Sequence, residues 1–239
     1  MTTFPIVDSD RLFPDSDGKP MADNTEQFRW IVLIKENLEI LFADDPTVFI
    51  AGDLLWYPVK STLIKPTAPD AMVVFGRPKG KRGSYRQWRE ENIPPHVVFE
   101  ILSPNNTNAE MTRKYEFYET YGVEEYYVYD PETFKLEGWL RQQGKLVQIQ
   151  MMNGWISPRL GIRFVIGQEE PEIYHPDGHK FLTSIELEQR AKQAESELAQ
   201  ERQRAEQERQ RAEQERQRAE RLAAYLRSLG VSDEDLRNL

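Results

Sequence analysis

The sequence predicts a mixed α/β or α+β sheet domain followed by a long charged helix. Three observations predict it. Apolar residues recur at spacings of three and four between Thr25 and Ala43, and short β-branched and aromatic runs then follow one another between Gly and Pro. From Ser184 onward the chain is rich in Glu, Arg and Gln, with a seven-residue repeat. The chain therefore divides into an N-terminal extension (1–22), a sheet domain (23–183) and a helical tail (184–239).

Each element has a local cause. Residues 1–22 hold four Asp and three Pro with little periodicity, so order is expected to begin where Asn24 or Thr25 can cap a helix. Phe28, Ile31, Val32, Ile34, Leu38 and Leu41 then give an amphipathic helix over 25–43, ended near Pro46. Strands are expected at 48–51, 54–57, 71–75 and 96–102. A second helix fills 107–121, capped by Asn106 or Thr107 and stopped by Gly122. Further strands follow at 125–129, 136–141, 146–151 and 162–166.

In the tail, Ala205–Arg211 repeats as Ala212–Arg218. A heptad register that aligns the alanines also places Glu201, Glu208 and Glu215 in the seam, which makes a poor coiled coil. Glu and Arg lie three or four residues apart instead, so a lone salt-bridged helix and weak self-association both fit. The tail is a candidate for protein contacts.

Composition removes several chemistries. The chain has 239 residues, a formal charge of -9 and no Cys, so disulfides, thiolate zinc sites and cysteine nucleophiles are excluded. A reducing cytoplasm is the expected compartment, since no apolar run is long enough for a membrane span and the acidic N-terminus lacks a signal-peptide pattern. Only His96, His175 and His179 are present, and the last two flank a Pro-Asp-Gly turn that suits no metal. No glycine-rich phosphate loop and no Gly-x-Ser-x-Gly elbow occurs.

Carboxylate chemistry at strand ends remains. Asp70 opens the strand 71–75, and Glu100 sits inside the apolar run Val97–Leu102, where an ionised side chain needs a cation. If the two strands are neighbours, Asp70 and Glu100 can share a hard divalent ion such as Mg²⁺, or Mn²⁺ in its place. Lys114 on the following helix could bring a positive charge to the same place. A structural ion pair for Glu100, and an ordinary helix pair between Glu110 and Lys114, are the competing readings.

These residues also carry a resemblance. Pro69-Asp70, Glu100 followed by Ser103-Pro104-Asn105, Lys114, and the segment Tyr121-Gly122-Val123-Glu124-Glu125-Tyr126-Tyr127 with Asp130-Pro131 resemble the Uma-two family of restriction endonucleases, within the PD-(D/E)XK nuclease superfamily. The resemblance covers about residues 20–183. It implies a restriction-endonuclease-like α-β-β-β-α-β core with a mixed sheet, Asp70 and Glu100 as metal ligands, and Mg-dependent hydrolysis of DNA. The superfamily pattern has Lys two residues after the strand carboxylate, where this chain has Leu102; the resemblance implies that Lys114 takes that role. It also makes Glu26 and Asp53 candidate further ligands, although a first-turn helix acid and a turn residue explain them equally.

The overall charge opposes nonspecific DNA binding, but residues 77–89 concentrate six cations, Arg77, Lys79, Lys81, Arg82, Arg86 and Arg89, with Tyr85 and Trp88 interleaved. Either these contact nucleic acid or they pair with Glu90, Glu91 and other surface acids. Two functions follow: a metal-dependent endonuclease on DNA, or a catalytically inactive nuclease-fold module that binds or assembles through 77–89 and the tail. Double-strand cleavage would favour a homodimer, from duplex symmetry alone.

Overall fold

A computed structural model describes residues 12–18 and 20–230. Part of the expected N-terminal extension (1–11 and 19) and the end of the tail (231–239) lie outside the described residues. The chain forms two units, Met1–Thr183 and Ser184–Leu239.

The first helix, α1 (Thr25–Leu41), starts where predicted, with the Asn24 side chain accepting from the Gln27 amide at 2.8 Å. It buries Gln27, Trp30, Ile31, Ile34 and Leu38, one stripe at helical spacing. The strands are β1 (Val48–Ala51), β2 (Trp56–Tyr57), β3 (Ala71–Phe75), β4 (Tyr85–Arg86) and β5 (Val97–Ile101), and α2 (Asn108–Tyr121) follows. After α2 come β6 (Glu125–Asp130), β7 (Lys135–Gln142), β8 (Lys145–Gln148), β9 (Arg163–Val165) and β10 (Glu172–Tyr174).

Six of these form one mixed sheet in the order β1-β3-β5-β6-β7-β8. Among the described residues β5–β6 is the one parallel pair of this sheet, because α2 carries the chain back across the sheet between them, and the separate β2–β4 pair is parallel too. The elements α1, β1, β3, β5, α2 and β6 thus give the expected α-β-β-β-α-β core. Alternation along the strands divides the interior in two. Val97, Phe99 and Ile101 face α1 and the β9–β10 hairpin, together with Phe164 and Ile173. Val98 faces the other way, with Met72, Val74, Tyr118 and Tyr126 beneath α2.

The differences from expectation are confined to short pieces. The strand expected at 54–57 is reduced to Trp56–Tyr57, which pairs with β4 inside the basic segment; β10 is three residues long. Runs of two or three residues are too short to show a period. The gain in β7 and β6 length, and the early end of β8 at Gln148, are boundary shifts of a few residues.

The second unit is α3 (Ser184–Ser228), which has no buried residue among those described. Its ion pairs lie at helical spacing, Lys192 to Glu188 at 3.0 Å and Arg216 to Glu220 at 3.5 Å, and both partners are exposed. Such pairs contribute tenths of a kcal/mol each.

One buried polar side chain closes the α1 side of the first unit. Asn37 donates to the carbonyls of Leu33 and Leu182 at 2.8 Å and accepts from the Leu182 amide at 3.1 Å. Asn37→Ala strips these partners, and a loss of about 1–3 kcal/mol is expected in denaturant unfolding of the full chain. A variant as stable as the parent would show that the Leu182 segment is held by its apolar neighbours alone.

Candidate active site

The site follows from strand register. In the β3–β5 pair Ala71 lies opposite Phe99, so the next residues outward, Asp70 and Glu100, meet at the same sheet end. The Ile101 amide donates to Asp70 Oδ2 at 2.6 Å, fixing that carboxyl against β5. The Asp70 carboxyl lies near enough to Glu100 to feel its charge. Glu100 is only 2% exposed and faces α2 by strand alternation.

Two residues one turn apart on α2 meet it there. Lys114 Nζ lies 2.6 Å from Glu100 Oε2, and the Tyr118 hydroxyl donates to Oε1. Tyr118 is fully buried and its ring stacks on Trp56. Leu102, at the position where the superfamily pattern has Lys, packs instead into the α2-side core. The amine beside Glu100 therefore comes from the helix and not from the strand.

The electrostatics follow from burial and crowding. Desolvation, and then the neighbouring Glu100 charge, push the Asp70 carboxyl well above the ordinary carboxylate range. For Lys114, burial disfavours the ammonium, but Glu100 and Asp70 outweigh it and its pKa rises. Lys114 is thus held as a cation. Burial, assisted by Tyr118's own neighbour Glu100, likewise keeps the Tyr118 hydroxyl protonated.

Asp53 belongs to the same cleft. It follows β1 in a left-handed conformation (φ 46°), and its amide donates to the Pro69 carbonyl at 3.0 Å, next to Asp70. Burial, with Asp17 adding to it, pushes its carboxyl up to about 6. Glu26, by contrast, pairs with Arg29, which also reaches Glu170. The residue that α1 places at the cleft is Gln27, whose amide nitrogen donates to the Ile101 carbonyl at 2.8 Å while its oxygen accepts from the Asp23 amide at 2.8 Å. The signal for Gln27 was its phase: it lies on the stripe of Trp30, Ile31 and Ile34, and Glu26 does not. Tyr118 was legible in the same way, four residues after Lys114.

A cleft of about 1000 Å³ opens beside these groups, with Asp53, Asp70, Gln27 and Lys114 in its wall. None of residues 77–89 lines it. Arg77 and Arg82 pair with Glu90, at 2.9 and 2.8 Å, and Arg77 also with Glu91. Arg86 reaches Asp15 and the Phe13 carbonyl, and Lys79 reaches the carbonyls of Phe42 and Ala43. Tyr85 is buried, its hydroxyl donating to the Ile93 carbonyl, and Trp88 packs on Phe13 and Tyr57. Lys81 and Arg89 are exposed. Most of this basic segment is thus engaged in holding its own fold.

Among the described residues no group of three or more His, Cys, Asp or Glu is arranged as a ready metal cage. The donor chemistry nevertheless fits a hard divalent ion. Asp70 stands beside Glu100, which pairs with the Lys114 ammonium, and burial together with the Glu100 charge raises proton affinity at Asp70. Mg²⁺ requires few protein oxygens and keeps several waters. Asp70 and Glu100 would hold it, with Asp53 next in reach through the cleft.

A profile of the Uma2 family, described as "Putative restriction endonuclease", matches residues 22–165. The chain belongs to this family. The Uma2 match contains α1, the six-stranded sheet and α2, and so Gln27, Asp53, Asp70, Glu100, Lys114 and Tyr118. Among solved structures, the chain is similar to a putative nuclease belonging to DUF820 from Anabaena variabilis ATCC 29413, with 15% identity and a TM-score of 0.44 over 59% of this chain and 74% of that one. Comparison with curated proteins finds no match. Among the described residues, no helix is long and apolar enough to cross a membrane.

The electrostatics make two outcomes measurable. Because Asp70 has a raised pKa in the folded chain, its ionisation costs stability as pH rises above the unfolded value, and an uncharged Asn avoids that cost. Asp70→Asn is therefore expected to melt higher than the parent at pH 8 without divalent ions. Added Mn²⁺ should raise the melting temperature of the parent and not of the variant; a variant that melts lower, or responds to Mn²⁺ equally, would contradict this arrangement. Asp53 is neutral below about pH 6 and charged above it. Calorimetric Mn²⁺ affinity should accordingly rise as pH passes through about 6, and the rise should shrink in Asp53→Asn. An identical pH profile in both proteins would remove Asp53 from the site.

Proposed function

We propose that this Uma2 protein is a Mg²⁺- or Mn²⁺-dependent endonuclease that hydrolyses DNA phosphodiester bonds. The observation that supports this most is the convergence of Asp70, Glu100 and Lys114 at one sheet end beside an open cleft. The family description points to the same class of chemistry.

Hydrolysis adds water across a P–O bond, and negative charge gathers on the phosphoryl oxygens and on the departing oxygen. A divalent ion held at Asp70 and Glu100 would supply Lewis acidity and lower the pKa of a bound water. Lys114 supplies a fixed positive charge to the phosphoryl oxygens. Against the burial that opposes it, Glu100 and Asp70 favour its ammonium form, which suits it to stabilise that charge. Glu100 orients Lys114 through Oε2, and Tyr118 holds Glu100 in turn through Oε1. Gln27 braces the Ile101 backbone whose amide positions Asp70. Preorganisation of this kind keeps charges in place that water would otherwise have to reorganise around.

The alternative, an inactive module that binds or assembles through 77–89 and the helical tail, is weakened at 77–89 by the internal pairing of Arg77, Arg82 and Arg86.

The reading is tested by incubating purified full-length protein and supercoiled plasmid with Mg²⁺ or Mn²⁺. Nicked or linear product is expected from the parent. Asp70→Asn, Glu100→Gln and Lys114→Gln should each lower the rate by about 10²–10³-fold while retaining the parent's circular dichroism. Cleavage at parental rates in all three would overturn the assignment.

A further inference from the structure

Resting on the nuclease reading, we propose that the DNA backbone is held at the cleft by Lys65 and Arg113, and not by the basic segment 77–89. The two cations come from different parts of the chain. Lys65 lies in the loop that leads into Asp70, and Arg113 lies on α2 next to Lys114; both line the cleft. Both are exposed, and neither takes part in a salt bridge among the described residues. Their charges are available to a ligand, whereas those of Arg77 and Arg82 are already committed to Glu90.

Position gives the second argument. Strand β3 runs away from Asp70 toward Phe75, so the segment that begins at Arg77 leaves from the sheet end opposite the carboxylates. A rise of about 3.3 Å per residue puts the two ends of β3 more than a Debye length of roughly 8 Å apart, so Arg77 starts far from the reacting centre, and Arg86, which returns beside β2, is held by Asp15 and the Phe13 carbonyl. Lys65 and Arg113 share the cleft with Asp70 and Lys114 themselves.

The acids of the cleft give the third. Asp17, Asp53, Glu110 and Glu116 also line it, so a polyanion entering there meets repulsion that only cations inside the cleft can offset. Lys65 and Arg113 stand beside Lys114 as the basic residues of that wall. Phosphates flanking the scissile one are the groups that they fit. Such contacts position a strand without reading its bases.

The test is fluorescence-anisotropy titration of a short labelled DNA duplex, and separately of its single strand, with full-length protein in Ca²⁺ across a KCl series. Each lost phosphate contact should lower the slope of log affinity against log salt by about one, so Lys65→Gln with Arg113→Gln should lower it by about two. Lys79→Gln with Lys81→Gln should leave the slope unchanged. An unchanged slope in the first pair, or a drop confined to the second, would overturn the inference and leave the nuclease reading intact. A parent protein that binds neither form of DNA would overturn both. Because all four side chains are exposed, circular dichroism should match the parent in each variant.

Discussion

A single buried carboxylate organises the active end of this protein. Glu100 lies inside the central strand of a sheet covered on that face by a helix, where an unpaired charge would cost several kcal/mol. The helix answers with Lys114 and Tyr118, one turn apart, each taking one carboxylate oxygen. That demand constrains the rest. Helix α2 must dock in one rotational phase, and the β5–α2–β6 crossover must return the chain parallel to β5. The adjacent strand then sets Asp70 beside Glu100 by register alone.

The same pairing explains why an amine from the helix can stand in for one on the strand. A lysine two residues after Glu100 would project on the same face of β5, toward α2. Leu102 fills that space with apolar contact, and Lys114 reaches the carboxylate from above. The geometry leaves one net negative charge among Asp70, Glu100 and Lys114 if both acids are ionised. Burial makes that state costly, which is why Asp70 holds a proton so firmly and why a divalent cation would be welcome there.

Much of this was legible in the chain. Glu100 stood out because it interrupts an apolar strand, and helical spacing located α1 and α2 to within a few residues. The less legible parts depended on partners distant in sequence. For the cations of 77–89 the string leaves nucleic-acid contact and pairing with acids both open; Glu90 and Asp15 take several of them, and a list of charges does not show which pairs form across a fold. Glu26 attracted attention by its chemistry, but one residue on a helix is a 100° turn, and the buried stripe carried Gln27 to the site instead. Lys65 and Arg113 gave no signal at all, since isolated surface cations acquire meaning only from the cleft around them.

The most direct measurement is the anomalous-scattering map of a crystal soaked in Mn²⁺. One ion is expected within about 2.1–2.3 Å of carboxylate oxygens from both Asp70 and Glu100, with water completing its coordination. An ion bound elsewhere, or a site at these two residues that stays empty at saturating Mn²⁺, would contradict the account.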